Sequence, residues 1–182
     1  METYISMLRG INVSGQKLIK MDGLKDLFIK MGFNNVSTYI QSGNVVFQSP
    51  KKDPSVLSNS IEKKIAGKYK FEVPVITRGL NDFRIAFDKN PLLKQKNIDV
   101  EKLHVTFLDP IPKKENTDKI KDLDFGKDKF IVLGREVYLY CPDGYGNTKL
   151  NNTFFEKKLQ VRATTRNLRT ARELISMAEA IK

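Results

Sequence analysis

The sequence predicts an α+β fold of two tandem α/β plaits, on three observations. Apolar spacing switches between a period of two and one of about 3.6, in the same order in each half. Each half carries a hairpin signal near its middle, Gln41-Ser42-Gly43-Asn44 and Gly134-Arg135. The 182 residues are 40% hydrophobic, with 11 Phe and 6 Tyr. That is material for a real core and excludes a globally disordered chain.

Residues 3–8 (TYISML) alternate and are rich in strand formers, so a first strand ends near Arg9-Gly10. In 21–31, Met21, Leu24, Leu27, Phe28 and Met31 recur at helical spacing, and Gly32 stops the helix. Residues 36–40 and 45–48 are strands, joined by a Ser42-Gly43 turn that needs positive φ. Asp53-Pro54 opens a helix to about residue 67, with Pro at its first position. Residues 71–77 (FEVPVIT) form a strand whose Pro74 suits a sheet edge, and a helix over 80–87 follows. After a polar connector the order repeats: strand 103–108, polar helix 113–123, hairpin strands 130–133 and 136–141. Helix 148–159, a short strand 160–163 and a final helix 165–181 complete it. The halves share an order of elements, with no residue-level repeat. With right-handed crossovers, βαββαβ gives the ferredoxin-like plait, an antiparallel sheet with two helices on one face. The expected domains are 1–90 and 102–182, joined by 91–101; a single larger α+β domain is the alternative.

Lys and Arg number 32 against 21 Asp and Glu, a net charge of +11. Scattered Lys mainly keeps a surface soluble, whereas the planar fork of Arg matches phosphate and carboxylate. Arg162, Arg166, Arg169 and Arg172 cluster within one short segment. No apolar run is long enough to cross a membrane, and no secretory leader is evident. A single Cys cannot form an internal disulfide, which fits the cytoplasm.

Plait topology predicts which loops meet. At one end of the first half it joins Arg9, Gly10 and Asn12 to Gln41, Ser42 and Asn44, in the uncharged stretch 31–50. Neutral hydrogen bonds there suit a ligand, with Arg9 adding charge; the competing explanation is hairpin chemistry. In the second half, Asp143, Gly144, Tyr145, Gly146 and Lys149 meet Thr164, Thr165, Arg166 and Asn167. A Gly-containing loop leading into a helix can turn N–H groups toward an anion, although Asp143-Gly144 also suits a plain turn. With Thr164 or Thr165 capping the last helix, Arg166 and Arg169 fall at its positive end. That conflict is relieved by a bound phosphate or carboxylate, or by nothing more than solvent on an exposed face.

Other chemistry is excluded or demoted. There is no P-loop or dinucleotide fingerprint. One His and one Cys cannot build a multi-His or thiolate metal site, so no metal or cofactor is expected. His104 lies mid-strand and Cys141 at a strand end, and both read as packing residues rather than a catalytic pair. The strands lack the paired aromatics that stack RNA bases.

The stretches YISMLRGINVSG, GFNNVSTYIQSGNVVF, PDGYGNTKL and ATTRNLRT together resemble the bacterial family labelled domain of unknown function 1697. The likeness runs from Tyr4 to beyond Arg169. It implies a small bacterial protein of two plait-like domains, with no established activity. The chain carries Ser14-Gly15 where the family has Gly-Gly, and Leu168 where it has Trp. The family words coincide with the two loop constellations.

The leading expectation is a small anionic, phosphate-bearing ligand held in a cleft between the domains. Its contacts are Arg9, Asn12, Gln41, Ser42, Asn44, Asp143, Gly144, Gly146, Lys149, Thr165, Arg166 and Asn167. Whether catalysis follows is left open; a transferase or hydrolase acting on a phosphate-bearing substrate is the enzyme form. Two alternatives stand below it. One is nucleic-acid binding through Lys51, Lys52, Lys63, Lys64, Lys68 and Lys70 with the Arg helix. The other is a scaffold that pairs Arg169 and Arg172 with an acidic protein. Oligomeric state is not legible.

Overall fold

The computed structural model describes residues 1–181. In the first half the elements are β1 (Glu2–Leu8), α1 (Met21–Lys30), β2 (Asn34–Tyr39), β3 (Asn44–Ser49), α2 (Pro54–Tyr69), β4 (Val75–Gly79) and α3 (Leu80–Asp88). In the second they are β5 (Leu103–Asp109), α4 (Lys114–Asp118), β6 (Lys129–Leu133), β7 (Glu136–Tyr140), α5 (Asn152–Leu159), β8 (Arg162–Asn167) and α6 (Leu168–Glu179). They build a mixed α+β chain with two four-stranded antiparallel sheets, ordered β2-β3-β1-β4 and β6-β7-β5-β8. The chain divides into two compact units, 1–84 with 173–182 and 85–172. Both bounds fall inside helices, α3 and α6, rather than in the connector.

Each unit has its own core. In the first, Tyr4, Leu8, Val45 and Phe47 from the sheet pack with Leu24, Phe28, Leu57, Ile61 and Ile65 from α1 and α2. In the second, Leu108, Val137, Leu139 and Ala163 pack with Phe155 and Leu159 of α5. Asp53 caps α2 by accepting from the Ser55 N–H at 2.7 Å, with Pro54 in the first turn as its missing donor allows.

Several elements differ from expectation for local reasons. The β2–β3 loop has four residues, 40–43, since Tyr39 is the register partner of Asn44 and both Ile40 and Gly43 take positive φ. Strand β4 starts only after Pro74, whose carbonyl accepts the Arg9 N–H at 2.9 Å; the strand is an edge, as Pro74 suggested. Helix α4 is five residues rather than eleven. Helix α5 starts at Asn152, where Asn151 caps the Phe154 N–H.

The largest difference lies at the last strand. Residues 162–167 are extended and pair with β5 from Asp109↔Arg162 to His104↔Asn167. Thr164 and Thr165 are therefore strand residues, and the cap of α6 is Asn167, which accepts the Thr170 N–H at 2.7 Å. A short residue-level echo emerges with this. Thr77-Arg78-Gly79-Leu80 at β4–α3 matches Thr165-Arg166-Asn167-Leu168 at β8–α6. Hydroxyl pairs repeat with it, Ser6 with Thr77 and Thr106 with Thr165, each at 2.7 Å.

Candidate functional site

In the first constellation Asn12 and Asn44 bond to the protein's own groups. The two amide protons of Asn12 go to Ile19 O and Gln41 O, at 2.9 and 2.8 Å, and its Oδ1 accepts the Ile19 N–H at 2.8 Å. Fully buried Asn44 donates to Tyr39 O and to Ser42 Oγ, each at 3.0 Å. Gly43 passes its carbonyl to the Leu8 N–H at 2.8 Å. Asn12 thus ties its own loop to Gln41, and Asn44 closes the β2–β3 turn. Arg9 is half-buried, and Gln41 and Ser42 are exposed.

In the second constellation the topology brings the loop to β8. The Thr165 hydroxyl donates to Asn152 Oδ1 at 2.7 Å and accepts from Tyr145 at 3.0 Å, with Thr106 Oγ1 at 2.7 Å. One proton and two lone pairs are then all engaged. The His104 ring stacks on Tyr145, centroids 4.9 Å apart, and burial pushes its pKa below the usual imidazole value. The Gly144 N–H goes to Cys141 O at 3.0 Å, so that group does not cradle an anion. Asp143 lies 3.8 Å from Lys127, both exposed. Gly146 and Lys149 are exposed.

Arg166 sits in the strand, not in the first turn of a helix, which removes the dipole argument for it. It pairs with Val105, so its side chain leaves the sheet face opposite Thr165. Arg166 is 8% exposed, and its guanidinium donates to Thr164 Oγ1 at 3.0 Å and Thr165 O at 2.8 Å. Burial lowers its pKa to about 10, with Tyr145 opposing. Burial likewise raises the Cys141 thiol to about 11, so it is a packed residue and not a thiolate. Among the described residues no group of three His, Cys, Asp or Glu is placed to hold a metal, and no helix is long and apolar enough to cross a membrane.

A further site was not legible in the sequence. At the end of the first sheet opposite the hairpin lies a pocket of about 750 Å³. Glu2, Thr3 and Tyr4 of β1 line it with Lys51, Lys52 and Asp53 before α2, Gly79 at the end of β4, and Asn81, Asp82 and Arg84 of α3. The Tyr4 hydroxyl accepts the Lys52 N–H at 2.9 Å and lies 3.0 Å from Glu2 Oε2. Lys51 sits 3.9 Å from Glu2, and Arg84 pairs with Glu179. Asp53 is taken up by Ser55 N–H and hydroxyl, at 2.7 and 2.6 Å. The one signal was Lys51-Lys52-Asp53-Pro54, a basic pair set directly before a capped helix.

The fold is shared with a solved structure, the conserved bacterial protein SP0830 from Streptococcus pneumoniae. The TM-score is 0.77 at 20% identity, covering 97% of this chain and 98% of that one. No curated protein matches the chain. The family described as Protein of unknown function (DUF1697) matches residues 1–138, and the chain belongs to that family.

Proposed function

We propose that the protein binds a small phosphate-bearing ligand in the pocket at the end of the first sheet. The observation that carries this is the pocket itself, whose volume of about 750 Å³ lies in the range of small-ligand sites. Three cations, Lys51, Lys52 and Arg84, line it. The starts of α2 and α3 also open on it, and their positive dipole ends favour an anion. The first N–H groups of α2 already bond Asp53, so that helix adds its field rather than open donors. Each sheet with its helices is read as a ferredoxin-like plait, supported by the common strand order. A cytoplasmic setting is proposed on the single Cys141.

Thermal denaturation with inorganic phosphate and pyrophosphate at low ionic strength tests the reading. The expected result is a rise in Tm that falls away with added salt and is lost in the Lys51→Gln, Lys52→Gln double variant. An unchanged rise in that variant overturns the site.

A second reading keeps Arg166 as an anion contact, favoured by its burial: an anion at a desolvated guanidinium offsets the cost of burying it. A phosphate response lost in Arg166→Gln, but kept in the Lys51→Gln, Lys52→Gln protein, selects this reading over the first.

A further inference from the structure

The two sheets end on four edge strands, β2, β4, β6 and β8, and three of these edges are blunted. β2 carries a register shift between Asn34 and Ser37, with Asn35 at positive φ, and such a bulge spoils pairing with a further strand. On β4 the outer N–H groups are taken by α2, Val75 by Glu62 Oε1 at 2.8 Å and Thr77 by Ser58 Oγ at 3.0 Å. On β8 the Ala163 N–H goes to Glu156 Oε1 of α5 at 3.1 Å. β6 is the exception. It pairs with β7 residue for residue, from Lys129↔Tyr140 to Leu133↔Glu136, without a shift. After Lys129 it reads Phe-Ile-Val-Leu, apolar and strand-forming, and none of its residues is buried. Among the described residues, no group takes up its outer edge.

The ladder determines which groups face outward. Arg135 O accepts the Leu108 N–H at 2.8 Å, so by alternation residues 137 and 139 bond toward β5. Glu136, Tyr138 and Tyr140 then bond toward β6, through Leu133, Ile131 and Lys129. Phe130 and Val132 are left with N–H and C=O pointing away from β7.

We infer that β6 pairs antiparallel with β6 of a second copy of this chain, about a two-fold axis at Ile131. The surface is independent of the phosphate-binding reading. In this register Phe130 meets the partner's Val132 on each side of the axis, so every outward N–H finds an outward C=O. Ile131 packs on its twin, and each Lys129 faces the partner's Leu133. A parallel pairing would set Lys129 on Lys129, and like charges directly opposite are destabilising. An axis at Phe130 would need the Asp128 N–H, which already bonds Phe125 O at 3.3 Å. An axis at Val132 would set Phe130 against Gly134, which lies in the turn. In the inferred register Lys127 and the partner's Arg135 approach beyond the ladder ends, where Asp143, 3.8 Å from Lys127, offsets them. Two chains of charge +11 repel at long range, so association should strengthen with salt, the reverse of phosphate binding.

Sedimentation velocity of the full chain tests the pairing. The ladder is short and the interface small, so the concentration series runs to about 1 mM. The mass should rise from monomer toward dimer and no further, since pairing consumes the edge. Ile131→Lys sets two cations together on the axis and should weaken association about tenfold or more. Val132→Pro removes an outward donor while leaving the ladder to β7 its bonds, and should act alike. Register is read by Cys variants under mild oxidation. Twin residues on the axis have Cα atoms about 4.5 Å apart, within disulfide range, whereas Leu133 and its twin are about 13 Å apart. Ile131→Cys should therefore cross-link about tenfold faster than Leu133→Cys, although Leu133 is the more exposed. Buried Cys141 stays out of the reaction. A chain that stays monomeric, assembly beyond the dimer, association untouched by Ile131→Lys, or equal or faster linking at Leu133→Cys overturns the proposal. Should Val132→Pro lose the wild-type unfolding transition, Ile131→Lys and the two Cys variants decide.

Discussion

Asn12 and Asn44 show what residue type alone leaves open. Both sit in polar, family-like words, yet every amide proton of Asn12 is directed at the protein's own backbone. A ligand-binding side chain needs spare valences, and only geometry shows which are spare. Gly43 is the sharper constraint at this end. Its φ is +76°, and a Cβ there would come 2.6 Å from Ile11 Cδ1 and 2.8 Å from Leu8 Cβ. Gly43→Ala therefore combines a left-handed backbone with overpacking and should cost about 2–4 kcal/mol in urea unfolding. His104, the lone His, supports a pH prediction. Desolvation depresses its folded pKa, and the charge on Lys102 acts the same way. The unfolded chain therefore binds the proton first as pH falls through about 6.5. Stability is whole above that value and declines from pH 7 toward pH 5. His104→Gln should flatten that slope in urea midpoints; an unchanged slope would place the titration elsewhere.

At the scale of elements, hydropathy period and turn signals placed β1, α1, β3, α2, β5 and β7 near their observed bounds; β8 was the costly miss. Residues 164–167 are Thr-Thr-Arg-Asn, compatible with a helix start by capping preference and with a strand by β-branching. Pairing with β5 decides for the strand, and that is a tertiary fact no local window contains. The cap consequently moves to Asn167, and Asn167→Ala should lower stability by about 1 kcal/mol. Thr165→Val tests the neighbouring network, since it leaves Asn152, Tyr145 and Thr106 without their common partner. A loss of about 1–3 kcal/mol is expected, for buried or half-buried polar groups left unmatched. The pocket was hidden for a related reason. Its lining comes from three separated segments, so no single stretch of sequence marks it.

At the scale of the whole chain, composition spoke loudest and carried least. The +11 charge invited a polyanion partner, but the phosphate reading rests on Lys51, Lys52 and Arg84. Residues 173–181, at the far end of the sequence, group with 1–84 in one compact unit. No period or composition shift marks that return, because α6 is a continuous amphipathic helix across residue 172. Within that segment Leu174 and Ala178 are 0% and 1% exposed, and Glu179 pairs with Arg84. Ending the chain at Arg172 removes this apolar burial from the first unit, a loss of about 3 kcal/mol at usual burial values. The exposed Arg84–Glu179 pair adds little to that. Because the removed side chains belong to the first unit, the loss should be local rather than uniform. Amide exchange in the truncated protein should accelerate in β1, β3 and β4 and change less in β5 and β7. Equal acceleration in both sheets would instead mean that the two units unfold as one.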